Sequence, residues 1–274
     1  MATIHVDGVD LFYKEQGHGP PLLLIHGAGG YADIWGETFT SLAVAHRVIA
    51  YDRRGFRRSS APAVKDYHRH GEDAAGLLGS LNAAPATVVG WSGGGLTALD
   101  LVVHHPELVS SLVLVEPPLH AQKHLTVQMA TAFIKVQLLR RLRGERAAAE
   151  TFYRFATSHT TGGCTFERMP ADTQAAMLDT ATATMGDLDA GTGEYLTMEQ
   201  IAAISCPVTC LLGELTAPAI ANATRRIIKS LPNAKLVEIN SAGHAMHFDQ
   251  PQAFVDAVLA AARPDPAAEG GNQS

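Results

Sequence analysis

A continuous apolar run, Ala86 to Val89, passes directly into Gly90-Trp91-Ser92-Gly93-Gly94, and a helical pattern follows from Gly95 to His104. This G-x-S-x-G stretch between a strand and a helix constrains the fold more than any other feature of the chain. Glycines on either side let the backbone turn sharply, and the turn holds the serine hydroxyl out beyond the end of a sheet. A glycine-rich helix start can instead cradle a phosphate. Neither G-x-x-x-x-G-K-[ST] nor G-x-G-x-x-G occurs to support a nucleotide.

The same rhythm runs along the rest of the chain. Pro21 to His26, Arg47 to Tyr51, Leu112 to Val115, Val208 to Leu212 and Lys235 to Ile239 are also short apolar runs without strict alternation. That pattern predicts strands buried on both faces of a parallel sheet. Helical spacing predicts helices over Asp73 to Leu81, Ala219 to Leu231 and Gln252 to Ala262, and Ile4 to Tyr13, broken at Gly8, reads as a hairpin. Alternating strands and helices give a layered α/β fold. From Leu119 to Gln200 the rhythm stops: Met129, Phe133, Val136 and Leu139 keep helical spacing and no strand intervenes. We read a core of residues 1–118 and 201–263, a helical insertion over 119–200, and a small, polar tail at 264–274 whose composition predicts disorder.

Composition narrows the function. The 274 residues are 46% hydrophobic and 18% charged with a net charge of -6, which suits one sizeable core and lacks the basic footprint of a nucleic-acid binder. No apolar run is long enough to span a bilayer, and the opening residues lack signal-peptide character, so a cytoplasmic protein without membrane partners is expected. Cys164, Cys206 and Cys210 form no C-x-x-C pair, so free thiols are expected rather than a disulfide framework or a zinc site. Thirteen histidines raise the question of metal binding. His68-Arg69-His70-Gly71-Glu72-Asp73 has the look of a ligand set, but we read it as the start of a solvated surface helix, with Asp73 near its first turns. Arg53, Arg54, Arg57 and Arg58 read as a solvated loop paired to Asp52.

A serine hydroxyl needs a base. His244, in Ser241-Ala242-Gly243-His244, follows the apolar run Lys235 to Ile239 on a loop that can face Ser92, and is preferred over His247. His26-Gly27-Ala28-Gly29-Gly30 follows the run from Pro21 and can present backbone N–H groups to developing negative charge. The expected donors are the amides of Ala28 and Gly93, with His26 propping the loop. Trp35 and Trp91, beside the oxyanion loop and the serine, are candidate pocket walls, and core packing accounts for both equally well.

With HGAGG, Tyr51-Asp52-Arg53-Arg54-Gly55-Phe56, GWSGGG, His105-Pro106-Glu107 and AGHAMHFDQP in this order, nearly the whole chain resembles the α/β-hydrolase superfamily. The resemblance implies a mostly parallel eight-stranded sheet with helices on both faces, a helical cap, and a Ser–acid–His triad in that chain order. Family members usually carry the acid after the strand that follows the cap, in a form such as Gly-Glu-x-Asp. Here the loop reads Gly213-Glu214-Leu215-Thr216, and Thr216 has no charge with which to orient an imidazole. Glu116, after the run Leu112 to Val115, is the alternative acid. Pro117 should keep it extended, and adjacent strands lie only about 4.8 Å apart, so it can reach the same histidine. The fungal zearalenone lactonases are similar in placing a glutamate there and lacking the later aspartate. Glu214 is the rival. Relatives that are haloalkane dehalogenases or epoxide hydrolases use aspartate at the position of Ser92, so those activities are not expected.

The sequence therefore predicts a hydrolase needing no cofactor and no metal, acting on a small, fairly hydrophobic ester or lactone. Ser92, His244 and Glu116 form the triad, the amides of Ala28 and Gly93 the oxyanion hole, and Trp35, Trp91, Met129, Phe133 and Val136 the pocket. Carbon–carbon bond hydrolases and cofactor-free haloperoxidases share the constellation, and ligand receptors with vestigial catalysis are a further class. A homodimer is compatible with the sequence.

Overall fold

The computed structural model describes residues 2–60, 62–231 and 234–263; the predicted disordered tail, 264–274, lies outside the described residues. The elements are β1 (Ala2–Val6), β2 (Val9–Gln16), β3 (Pro21–Ile25), α1 (Gly36–Leu42), β4 (Arg47–Tyr51), α2 (Tyr67–Ser80), β5 (Ala86–Trp91), α3 (Gly93–His104) and β6 (Val109–Val115). There follow α4 (Val127–Arg143), α5 (Glu145–Ala156), α6 (Thr165–Arg168), α7 (Ala171–Leu178), α8 (Ala181–Asp189) and α9 (Met198–Ala202). The chain then returns to the sheet with β7 (Val208–Gly213), α10 (Pro218–Ser230), β8 (Lys235–Ile239), α11 (Met246–Asp249) and α12 (Pro251–Ala261).

The eight strands lie in the order β1-β2-β4-β3-β5-β6-β7-β8. The pairs from β4 to β8 are parallel, and β1–β2 and β2–β4 are antiparallel. The expected hairpin is present. Val6 pairs with Val9 across Asp7 (φ 42) and Gly8 (φ 78), the two positive φ values that a tight two-residue turn between twisted strands requires.

Continuous apolar runs fit because both faces of the sheet are covered. Leu22 and Leu24 join Trp35, Phe39, Phe254 and Val258 on one side. Leu23 and Ile25 join Leu77, Leu78, Leu96 and Leu99 on the other. Successive side chains point to opposite faces, so one strand feeds both layers.

Among the described residues no named strand lies between β6 and β7, as the loss of rhythm predicts, and α9 runs past Gln200 to Ala202. No helix of the described residues is long and apolar enough to cross a membrane. Two local expectations are corrected. Helix α2 is capped by Asp66, whose carboxylate accepts from His68 N at 2.9 Å, but Asp73 and His70 are buried rather than solvated. They sit on the face that α2 turns toward the core, and Asp73 holds Arg54 at 2.6 and 2.7 Å. The arginine run is not one solvated loop either. Arg58 pairs with Asp52 at 2.7 Å, as expected, but Arg53 and Arg54 are buried and bonded to other carboxylates.

Candidate active site

The turn after β5 carries its serine in a strained conformation. Ser92 has φ 54 and ψ -121, a region that costs a non-glycine residue on the order of 1–3 kcal/mol. Its surroundings hold it there. Ser92 N donates to Val115 O and Gly95 N donates to Ser92 O, each at 2.8 Å. The loop after β3 crosses so closely that a Cβ on Gly27 would lie 2.8 Å from Ser92 Cβ, which leaves room for glycine alone.

His244 and Glu116 meet. His244 Nδ1 lies 2.6 Å from Glu116 Oε2, and both side chains are buried. Glu116 Oε1 accepts from Gly213 N at 2.8 Å and from Thr216 Oγ1 at 2.7 Å. The threonine at the position of the missing aspartate thus donates a hydrogen bond to the glutamate one strand away. Glu214 turns out to solvent, accepting from Ser241 N at 2.8 Å. The expectation of an extended Glu116 is corrected: its φ is 50, just beyond β6. The three hydrogen bonds to its carboxylate fix the side chain, and the backbone takes up the turn.

The backbone of His244 is held by Trp91, whose Nε1 donates to His244 O at 2.8 Å. His247 lies behind it, packed against Trp35, Trp91 and Phe254, with neither ring nitrogen bonded. Burial and the neighbouring His244 push the pKa of His247 down to about 3. An imidazole kept neutral in an apolar box is a poor proton acceptor.

Ser92, His244, Ala28 and Gly93 line one cavity together. Among the described residues neither the Ala28 nor the Gly93 amide has a protein acceptor; Gly93 N belongs to the unsatisfied first turn of α3. The loop after β3 is shaped by His26. Its Nδ1 donates to Gly27 O at 2.8 Å and its Nε2 accepts from Arg53 N at 3.0 Å. Burial, then the charge of Arg53, keeps its pKa well below the usual histidine value.

Of the expected pocket walls, Met129 and Phe133 on α4 line the cavity. Trp35, Trp91 and Val136 belong instead to the packed cluster on one face of the sheet. Trp35 stacks on Phe254, and Trp91 spends its one donor on His244. Other lining residues went unrecognised in the sequence: Phe152 and Phe155 on α5, Ile220 on α10, and the polar Tyr67 and Asp187. Asp187, on α8, receives two bonds from buried Arg53 at 2.6 and 3.2 Å, with His70 Nε2 at 3.7 Å. Burial alone would raise its pKa; Arg53 and His70 outweigh that and draw it down to about 2. No local pattern marks this pair, because its partners stand 134 residues apart.

The histidine-rich stretch does not converge on a metal-like set of its own, since His70 and Asp73 take separate partners. His68 joins Asp100 and His104, whose ligating atoms lie within 4.8 Å of one another. These are the residues with donors for a cation. They already form a hydrogen-bonded cluster, with Tyr195 Oη donating to Asp100 Oδ2 at 2.9 Å and His68 Nδ1 3.1 Å from Asp100 Oδ1. The three cysteines are free.

A model described as the alpha/beta hydrolase family matches residues 22–257. The chain is 26% identical over 278 aligned positions to the putative non-heme bromoperoxidase BpoC of Mycobacterium tuberculosis, covering 92% of this chain and 97% of that protein. It is 40% identical over 118 residues to the uncharacterized hydrolase YraK of Bacillus subtilis, but that match spans only 42% of this chain and 44% of YraK. The enol-lactonase of Burkholderia xenovorans LB400 superposes with a TM-score of 0.78 at 21% identity, covering 94% of this chain and 98% of that one.

Proposed function

The chain belongs to the alpha/beta hydrolase family, and from that premise we propose that it is a serine hydrolase of small, fairly hydrophobic carboxylic esters or lactones. The observation that carries this reading is the 2.6 Å contact of His244 Nδ1 with Glu116, behind a cavity that Ser92 and His244 share.

The arrangement supports the following sequence of steps. Glu116 accepts a hydrogen bond from Nδ1–H, which leaves Nε2 as the basic nitrogen for Ser92 Oγ. Serine attack on the carbonyl carbon passes its proton to His244, and Glu116 stabilises the imidazolium formed. The amides of Ala28 and Gly93 receive the oxyanion; a single such donor is worth roughly 10²–10³ in kcat. His244 then protonates the leaving alkoxide. A water deprotonated by the same nitrogen releases the acyl group from Ser92.

The cavity supports the substrate class. Met129, Phe133, Phe152 and Phe155 make its wall largely apolar, which suits an apolar acyl group or ring.

The test is a rate panel of nitrophenyl esters of increasing chain length beside γ- and δ-lactones, with Ser92→Ala as control. Short esters or lactones should turn over, and Ser92→Ala should lower kcat by about 10⁶-fold. Turnover that survives in Ser92→Ala would remove the nucleophile from this account.

A further inference from the structure

Resting on the serine-hydrolase reading, we propose that Tyr67 and Asp187 form a recognition niche for a hydrogen-bonding substituent, a hydroxyl or an acylamino N–H, on the carbon next to the reacting carbonyl. The niche is fixed relative to the oxyanion amide. A Cβ added to Gly93 would lie 2.8 Å from Tyr67 Oη and 3.4 Å from Asp187 Oδ2. Two polar atoms from different elements, the start of α2 and the end of α8, therefore converge on one point beside the residue whose N–H faces the oxyanion. Both residues line the same cavity as Ser92.

The two groups have complementary chemistry. Among the described residues Tyr67 Oη has no hydrogen-bond partner, although its side chain is buried. Burial first, then the charge of Asp187, hold its pKa well above the usual phenol value, so it keeps an O–H to donate. Asp187 is an ionised acceptor, and Arg53 neutralises its charge at 2.6 Å. The niche is thus a donor–acceptor pair with no net charge, suited to a neutral group that both gives and takes a hydrogen bond. A hydroxyl does so with one atom. An acylamino group offers its N–H to Asp187.

The rest of the cavity does not compete for such a group. Thr192 is occupied, its N donating to Glu194 Oε2 at 2.7 Å, and Met129, Phe133, Phe155 and Leu188 are apolar. A substrate without the substituent leaves Tyr67 and Asp187 facing apolar surface. Sites built to hydrogen-bond a group reject analogues that lack it; here the expected discrimination is roughly 10- to 100-fold.

The experiment compares kcat/KM for α-hydroxy-γ-butyrolactone, α-acetamido-γ-butyrolactone and unsubstituted γ-butyrolactone, in the wild-type chain and in Tyr67→Phe. A fluorophosphonate probe counts active Ser92 in each sample. The expected result is at least a tenfold wild-type preference for a substituted lactone, with one enantiomer of the racemate consumed first. In Tyr67→Phe the ratio of substituted to unsubstituted rates falls toward one. Equal wild-type rates, or an equal loss on all three lactones in Tyr67→Phe, would overturn the niche. Should the variant fold poorly, the wild-type ratio and enantiomer preference decide alone. Failure of the wild type to label or to turn over any ester or lactone would instead sink the serine-hydrolase reading, so the two failures are told apart.

Discussion

Thr216 stands where the family resemblance implies a carboxylate, and its hydroxyl donates to Glu116 at 2.7 Å. A second carboxylate there would face a buried one and pay the like-charge penalty. The two positions are therefore one arrangement: glutamate after β6 and a neutral donor after β7. His247 answers a different need. It fills an aromatic box as a neutral ring, and its folded pKa of about 3 lies below the ordinary 6.5. The unfolded chain takes up that proton first as pH falls. The stability that His247 contributes is complete above about pH 6.5 and is lost progressively as pH drops toward 3, with a slope of about 1.4 kcal/mol per pH unit. Urea unfolding at pH 7, 6, 5 and 4 should show that slope reduced by about one proton in His247→Phe. His26 and His70, also buried and shifted down, leave a remainder. An unchanged slope in the variant would show that His247 is not buried neutral.

Among elements, the joint between α8 and the loop after β4 matters most. Arg53 is fully buried and reaches Asp187 across it, while Arg53 N bonds the His26 ring that shapes the loop after β3. Asp187→Ala leaves an unpaired guanidinium in the interior and should cost about 3–5 kcal/mol, whereas Arg53→Met with Asp187→Leu should recover most of it. Chemical unfolding of the two variants checks this; a single variant as stable as wild type would contradict it. This joint also marks where the sequence stops being informative. The sheet was legible because strands covered on both faces become unbroken apolar runs, and the turn at Ser92 because only glycine permits such close passage. The insertion was legible only as helical. Apolar side chains such as Trp35 and Val136 carry no sign of whether they face a cavity or a core, and here they face the core. Nor does an ion pair spanning 134 residues leave a local pattern.

At the scale of the whole molecule, the candidate triad is assembled by strand order. The order β5-β6-β7-β8 sets side by side the strands that end near Ser92 and Glu116, the loop that carries Thr216, and the strand before His244. Glu116 was readable from the sequence as an acid within reach, through the spacing of adjacent strands. Its left-handed backbone was not, because the preference imposed by Pro117 is a local term and the three bonds to its carboxylate are tertiary. The cavity at this end of the sheet is lined by Met129, Phe133, Phe152 and Phe155, with Tyr67 and Asp187 beside Ser92 and His244. In the proposed triad the acid is Glu116, after β6, rather than a residue after β7. The most direct measurement is kcat for Glu116→Gln beside Glu214→Gln on one short nitrophenyl ester, with folded content matched. The expected result is a loss of about 10⁴-fold in Glu116→Gln, as when a triad acid becomes an amide, and near wild-type turnover in Glu214→Gln. Near wild-type turnover in Glu116→Gln, with the loss appearing in Glu214→Gln, would contradict it.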